Sequence, residues 1–311
     1  MEKSFHSNGK LLLTSEYLII DRALALALPC KYGQWLRVKP QEEPLIHWKS
    51  FSSEGDLWYK SKFRITEDGI ISKMDVEAPG AIKNMDDRLL QILNVLYEMN
   101  PSHFRGKGYQ IETELEFPSD WGLGSSSTLL VNLAEWVSVD PYVLSSKTFG
   151  GSGYDIACGM HDGPIIYQVT DSLESPKVGR ANFAPDFKDR LFFVHRNQKQ
   201  NTREAVAHYR KQKTKLKKDM VKEISAISLN FLYCKDFDEF ENLIYLHEQI
   251  ISECLGLPVV KEVLFPDYPG AVKSLGAWGG DFILATGTYD QKEYFREKGY
   301  QTVVSYSDMV L

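Results

Sequence analysis

Several signatures that would assign a chain to a chemical class are missing here. The four cysteines, Cys30, Cys158, Cys234 and Cys254, are dispersed with no C-x-x-C pair, which excludes a zinc knuckle and a redox dithiol and leaves reduced thiols. No G-x-x-x-x-G-K-[ST] segment occurs, so a Walker nucleotide site is excluded. The turn at residues 122–127, GLGSSS, has serine where a dinucleotide-binding turn carries its third glycine. Apolar runs stop well short of membrane-spanning length, and neither solenoid-period repeats nor low-complexity tracts occur. A basic excess is also lacking: the net charge of -6 argues against nucleic acid or a membrane surface as partner. Met1 to His6 do not have the basic-then-apolar order of a secretory leader, so a cytoplasmic location is expected.

With 311 residues, 43% of them hydrophobic, the chain can bury one large or two modest lobes. The most informative stretch is FPSDWGLGSSSTLL at 117–130. Before it, Tyr109 to Phe117 alternate apolar and polar residues as a half-buried strand does. After it, Leu129, Leu130, Leu133 and Val137 recur at helical spacing. Strand, glycine turn and helix thus follow in order. Gly122 and Gly124 allow a sharp turn and close approach of backbone to an anion, and the serines can cap a helix whose first amides point at it. The expected ligand carries phosphate.

Elsewhere the pattern predicts extended segments at Leu11–Leu13, Tyr17–Ile20, Ala23–Leu28 (ended by Pro29) and Gln34–Lys39, then hairpins over 40–80 whose aromatics are expected in the core, the alternative being an adenine pocket. A helix is expected over Arg88–Met99. Phe149 to Asp155 form a second glycine-rich turn, followed by a strand at Ile165–Val169. The polar stretch 171–186 is the expected lobe boundary, giving lobes of 1–180 and 181–311. Beyond it come a strand at Leu191–Val194, helices from Thr202 and over Phe237–Leu255, and a third glycine-rich segment at 270–281. A strand at Phe282–Thr286, a helix at Gln291–Lys298 and a strand at Thr302–Val304 end the pattern. The basic run 210–218 is expected to be a solvated helix face.

Three glycine-rich turns in this order resemble those of the GHMP kinases, the superfamily of galactokinase, homoserine kinase, mevalonate kinase and phosphomevalonate kinase. The likeness is carried by NGKLLLTSEYLIIDRALALAL at 8–28, PSDWGLGSSST at 118–128, GGSGYDIACGMHDG at 150–163 and LGAWGGDFILAT at 275–286. RNQKQNTREAV at 196–206 resembles a mevalonate-kinase loop, and GSGYDIA is similar to the GSGFDVA of phosphomevalonate kinases and to a subgroup named for its GYDIA motif. The resemblance implies an α+β, two-lobed fold, with an N-terminal lobe like ribosomal protein S5 domain 2 and a ferredoxin-like C-terminal lobe. It implies a kinase moving the γ-phosphoryl of Mg-ATP to a small mevalonate-like acceptor, with ATP and Mg2+ as cofactors.

By the same resemblance, Gly122, Leu123, Gly124, Ser125, Ser126 and Ser127 wrap the ATP phosphates, with Ser126 also on the magnesium. Asp155 matches the catalytic base and Lys10 the motif lysine that keeps it ionised and steadies the moving phosphoryl group. Glu16, Tyr17, Ser152, Gly153, Thr202, Gly276, Gly279 and Gly280 fall on the substrate side. Phosphoryl transfer asks mainly for positioning and charge neutralisation, which three turns and a few charges can supply.

Two departures stand out. Asp281 replaces the small residue or cysteine of many relatives. The glutamate that completes the magnesium site in mevalonate and homoserine kinases has no evident counterpart, because Glu135 lies nine positions beyond Ser126, on the opposite helix face, leaving Asp140 or a site of Ser126, phosphate oxygens and water. The alternatives are a GHMP-fold nucleotide- or metabolite-binding protein without turnover and a diphosphomevalonate-decarboxylase-like enzyme. The acceptor and the oligomeric state, a homodimer included, stay open.

Overall fold

The computed structural model describes residues 1–67, 71–73, 80–198, 202–212, 219–276, 280–288 and 290–311. They form two compact units, each drawn from several stretches: Met1–Gly9, Tyr32–Ser119 and Gly124–Met160 in the first, and Lys10–Lys31, Asp120–Leu123 and His161–Leu311 in the second. These contact-based units are discontinuous in sequence; the continuous lobes of 1–180 and 181–311 stand as a proposal about domains.

Strands β1 (Lys3–Leu12) and β2 (Ala25–Gln41) pair with each other and contribute residues to both units. In the first unit β3 (Leu45–Phe51), β4 (Leu57–Ile65), β5 (Ile71–Lys73) and β6 (Gly108–Leu115) complete a sheet of order β5-β4-β3-β6-β2. β6 runs antiparallel to Gln34–Gln41 of β2 and parallel to β3. Its alternation buries Tyr109, Ile111, Thr113 and Leu115 while Gln110, Glu112 and Glu114 are more open, as the pleat requires. Helices α1 (Gly80–Met99), α2 (Pro101–Phe104), α3 (Ser125–Val137), α4 (Pro141–Thr148) and α5 (Tyr154–Gly159) belong to the same unit. Leu93 and Leu96 of α1 and Leu130, Leu133 and Trp136 of α3 join Leu36, Ile46, Trp48 and Ile111 of the sheet in one core. Each such side chain contributes about 1.5–3 kcal/mol when fully buried. Trp48 and Tyr59 are core, as expected, whereas Trp58 is 45% exposed.

In the second unit Ala25–Ala27 of β2 pair antiparallel with β7 (Ile165–Gln168), and β7 with β8 (Lys177–Arg180). A separate antiparallel sheet is built from β9 (Leu191–His195), β10 (Val272–Leu275), β11 (Phe282–Thr286) and β12 (Val303–Ser305) in the order β10-β11-β9-β12. Counted along the chain this is second, third, first, fourth, the order of a ferredoxin-like sheet. Its helices are α6 (Thr202–Gln212), α7 (Met220–Tyr233), α8 (Phe237–Leu255), α9 (Val260–Leu264), α10 (Gln291–Glu297) and α11 (Tyr306–Met309). Among the described residues the fold class is therefore α+β, as expected.

Local expectations failed in instructive places. Tyr17–Ile20 are not extended: Ser15 and Tyr17 adopt positive φ (67° and 65°) and lead into a 3-10 turn at Leu18–Asp21. β2 does not end at Pro29, because this residue, which has no N–H, lies between the part paired with β7 and the part paired with β6, and its carbonyl accepts from Leu311 N–H at 3.1 Å. The polar stretch 171–186 contains β8, and the third glycine segment contains β10. Residues 213–218 of the basic run lie outside the described residues.

At Asp140-Pro141 a helix starts. Asp140 Oδ1 accepts from Tyr142 N–H at 2.7 Å and Val143 N–H at 3.1 Å, with Pro141 at the first helical position. Asp140→Ala should lower stability by about 1 kcal/mol and Asp140→Asn by clearly less, read by urea unfolding.

Candidate functional site

In the second unit the Asp120–Leu123 segment is gripped from several sides. Lys10 on β1 donates its backbone N–H to Leu123 O at 2.9 Å and its Nζ to Gly122 O at 2.7 Å. His195 Nε2 lies 3.3 Å from Asp120 O, and Trp121 meets Phe282 edge-on at 5.4 Å between ring centroids. Gly122 has φ 67°, and a Cβ there would lie 1.9 Å from Asp281 Oδ2. Asp281 is fixed by its carbonyl, which accepts from Arg196 N–H at 2.9 Å. Lys10 and the first half of the glycine turn are thus brought together, and Asp281 backs the turn. Gly276 and Gly280 also have positive φ (80° and 56°). At Gly280 a Cβ would lie 2.3 Å from Phe282 O, so only glycine lets this chain cross itself there.

In the first unit Gly124, at φ 93°, is the N-cap of α3. Ser125, Ser126 and Ser127 form the first turn, where amides lack intrahelical acceptors and favour an anion. Ser126 is exposed, whereas Ser127 Oγ donates back to Gly124 O at 2.8 Å and Ser127 is buried. A polar seam holds the helix in place: Thr128 Oγ1 donates to Gln34 Oε1 at 2.7 Å, Asn132 Nδ2 to Gln34 O at 2.8 Å, and Ser7 Oγ to Thr128 O at 2.7 Å. The second glycine turn uses positive φ at Gly150, Gly151 and Gly153 before α5. Ser152 and Asp155 are half-buried, and Asp155 Oδ1 accepts from Ile156 N–H at 3.1 Å. α5 lies close on α3, since a Cβ on Gly159 would sit 2.9 Å from Val131 Cγ2. The helices that follow the two glycine turns are therefore packed together within one unit. The Tyr142 phenol nearby is pushed up, first by burial and then by the neighbouring Cys158, Asp140 and Asp155.

Glu16 and Tyr17 are placed differently from a substrate-facing pair. Glu16 is 3% exposed, and its Oε1 accepts from Lys273 Nζ at 2.6 Å, with Lys273 fully buried on β10. His247 and Glu248 of α8 complete this group. Tyr17 is buried, its ring 5.6 Å from that of Tyr209. None of Lys273, His247 and Glu248 was picked out from the sequence; a lysine in the apolar stretch 272–275 and an adjacent His-Glu pair on an otherwise apolar helix stripe were the available signals. Thr202 begins α6, and Gly279 lies outside the described residues.

The donor set fits phosphate better than it fits a bare metal ion. Among the described residues no group of three or more His, Cys, Asp and Glu side chains is arranged to hold a metal. Asp140, the alternative acid, has Oδ1 committed to capping α4. An ion at Ser126 would depend on phosphate oxygens and water for its other ligands.

No protein-family model matches the chain, and no curated protein does. Solved structures do. The mevalonate kinase of Methanococcus jannaschii superposes with a TM-score of 0.70 at 16% identity, covering 97% of this chain and 96% of that one. The Streptococcus pneumoniae phosphomevalonate kinase, in complex with phosphomevalonate and AMPPNP, gives 0.65 at 13% identity over 99% and 98%. The Lactococcus lactis galactokinase, complexed with galactose, gives 0.60 at 13% over 95% and 88%. The chain has the fold of the GHMP kinases.

Two outcomes test this geometry. Gly122→Ala should lose nucleotide affinity while keeping its far-ultraviolet spectrum, because the new methyl group meets Asp281 at a positive φ; equilibrium dialysis with ATP measures it. Burial would raise the Glu16 carboxyl, but the Lys273 ammonium on its Oε1 holds it below the ordinary value of 4.5. A depressed folded pKa stabilises above the unfolded value, and that stability disappears as pH falls through the folded one. Glu16→Gln should therefore be less stable near neutrality and show a flatter acid limb in urea unfolding.

Proposed function

We propose that the chain is an ATP-dependent small-molecule kinase that transfers the γ-phosphoryl group of Mg-ATP to an oxygen of a mevalonate-like acceptor, mevalonate or phosphomevalonate. The observation that supports this reading is the pair of hydrogen bonds from Lys10 to the carbonyls of Gly122 and Leu123, because the resemblance assigns both the lysine and that turn to the phosphate site. In this reading the free amides of Gly124 to Ser127 bind phosphate oxygens and Ser126 adds its hydroxyl to the magnesium shell, as the exposed side chain allows. Lys10 steadies charge on the moving group. Asp155 orients the acceptor hydroxyl and takes its proton, with proximity compensating for a weak base. Ser152, Gly153, Thr202, Gly276, Gly279 and Gly280 are assigned to the acceptor side by motif alone.

One observation favours a second reading, a nucleotide-binding protein of this fold without turnover: the described residues offer no acid triad for a metal, and Asp140 is spent as a helix cap. ADP release by the purified protein with Mg-ATP separates the two when mevalonate, phosphomevalonate, homoserine and galactose are compared beside Asp155→Asn. The kinase reading expects one acceptor to drive turnover and the variant to lose about 10²- to 10⁴-fold. ATP binding without ADP release for any acceptor would leave the binding protein.

A further inference from the structure

The Thr14–Tyr17 corner of the second unit is built without glycine although two of its residues have positive φ, Ser15 at 67° and Tyr17 at 65°. Such a backbone persists only where its surroundings hold it. The hydroxyls account for part of the hold: Thr14 Oγ1 and Ser228 Oγ are 2.7 Å apart, Ser15 Oγ donates to Leu24 O at 2.7 Å, and Leu26 N–H donates to Thr14 Oγ1 at 2.8 Å. A further contact is the Ser15 N–H, which donates to His247 Nε2 at 2.9 Å in a fully buried setting.

That bond fixes the imidazole. A nitrogen that accepts a hydrogen bond has its lone pair free, so the proton of neutral His247 sits on Nδ1, which lies 3.5 Å from Glu248 Oε1 and makes no hydrogen bond there. Glu248 is in turn held by Ser274 N–H on its Oε2 at 3.0 Å, and its Oε1 lies 3.6 Å from Lys273 Nζ. Glu16 Oε2 sits 3.1 Å from Nε2 with no hydrogen bond of its own, while Lys273 takes Oε1. Nε2 cannot serve both neighbours. As a neutral acceptor it holds the Ser15 amide; protonated, it would turn to Glu16 and leave that buried amide without its acceptor. Among the described residues the charged groups beside His247 are Glu16 from the corner and Glu248 from its own helix, with Lys273 of β10 paired to both carboxylates, while α7 presents the Phe231 ring at 6.5 Å.

We propose that His247, whose Nε2 accepts from the Ser15 amide beside the Glu16–Lys273 pair, is a positioning residue that locks the Ser15–Tyr17 corner and through it sets affinity for the acceptor. The effect on the acceptor rests on the kinase reading; the lock on the corner does not. Movement at Ser15 passes directly to Tyr17, whose ring packs on Tyr209, and Tyr209 donates its hydroxyl to Asp21 at the end of the 3-10 turn.

Nitrogen-15 spectra of histidine-labelled wild-type protein test the lock without any variant. The expected result at neutral pH is a protonated Nδ1 and an unprotonated Nε2 for His247, and a signal showing Nε2 protonated overturns the proposal. His247→Gln offers an amide oxygen near the place of Nε2, whereas His247→Phe offers none. Exchange of the Ser15 amide should quicken about tenfold or more in the Phe variant and stay within about threefold of wild type in the Gln variant. Equal exchange in the two variants overturns the lock. Where an acceptor is turned over, the Phe variant should raise its KM about tenfold with the KM for ATP little changed, and Gln should restore it. An unchanged acceptor KM alongside faster Ser15 exchange overturns the link to affinity. Absence of turnover with every acceptor counts against the kinase reading and leaves the spectrum and the exchange result to decide the lock.

Discussion

The bond from Lys10 N–H to the Leu123 carbonyl is the contact on which the candidate site turns. It is a backbone bond, so it fixes where the glycine turn lies regardless of side chain. The Lys10 ammonium then repeats the grip one residue earlier, on Gly122 O. A turn meant to offer its amides to an anion cannot use those amides to hold itself in place. Its carbonyls must do that work, and Lys10 binds two of them. Asp281 closes the other side, at a distance only a glycine at 122 permits.

A second constraint lies in the buried charges of the same unit. Moving Glu16, Glu248 and Lys273 out of water costs several kcal/mol per ion, and their attraction repays this only with good geometry and satisfied hydrogen bonds. Lys273 meets that condition with bonds to Glu16 Oε1 and Ser274 O. Glu16 Oε2 does not, as it has no donor. A cluster kept at such a cost is poor evidence for stability and better evidence for a defined arrangement. What it defines is the strained corner that follows β1, held from three elements distant in sequence.

The sequence made the local half of this legible. Gly122, Gly124 and Gly153 announced turns because positive φ is a backbone property that glycine alone supplies cheaply, and the apolar periods of α1, α3 and α8 are intrinsic to a helix with one buried face. It misled where a neighbour distant in sequence decided the outcome. Tyr17–Ile20 look like a strand by composition, but Ser15 and Tyr17 are bent by partners at positions 209, 228 and 247. Lys273 in a four-residue strand looks solvent-exposed until Glu16 is found beside it. Gly159 has an ordinary helical backbone, and only the closeness of Val131 explains it.

The placement of Glu16 also bears on how far a motif can be carried. The opening motif aligned Glu16 and Tyr17 with substrate-side residues, yet a carboxylate at 3% exposure bonded to a fully buried lysine has little left to offer a ligand directly. Any influence it has on an acceptor must then be exerted through backbone geometry. Lys10 and Asp155 differ in this respect, because both are only half-buried. Burial thus separates Lys10 and Asp155, which solvent and a ligand can reach, from Glu16, which only fixes the backbone around it.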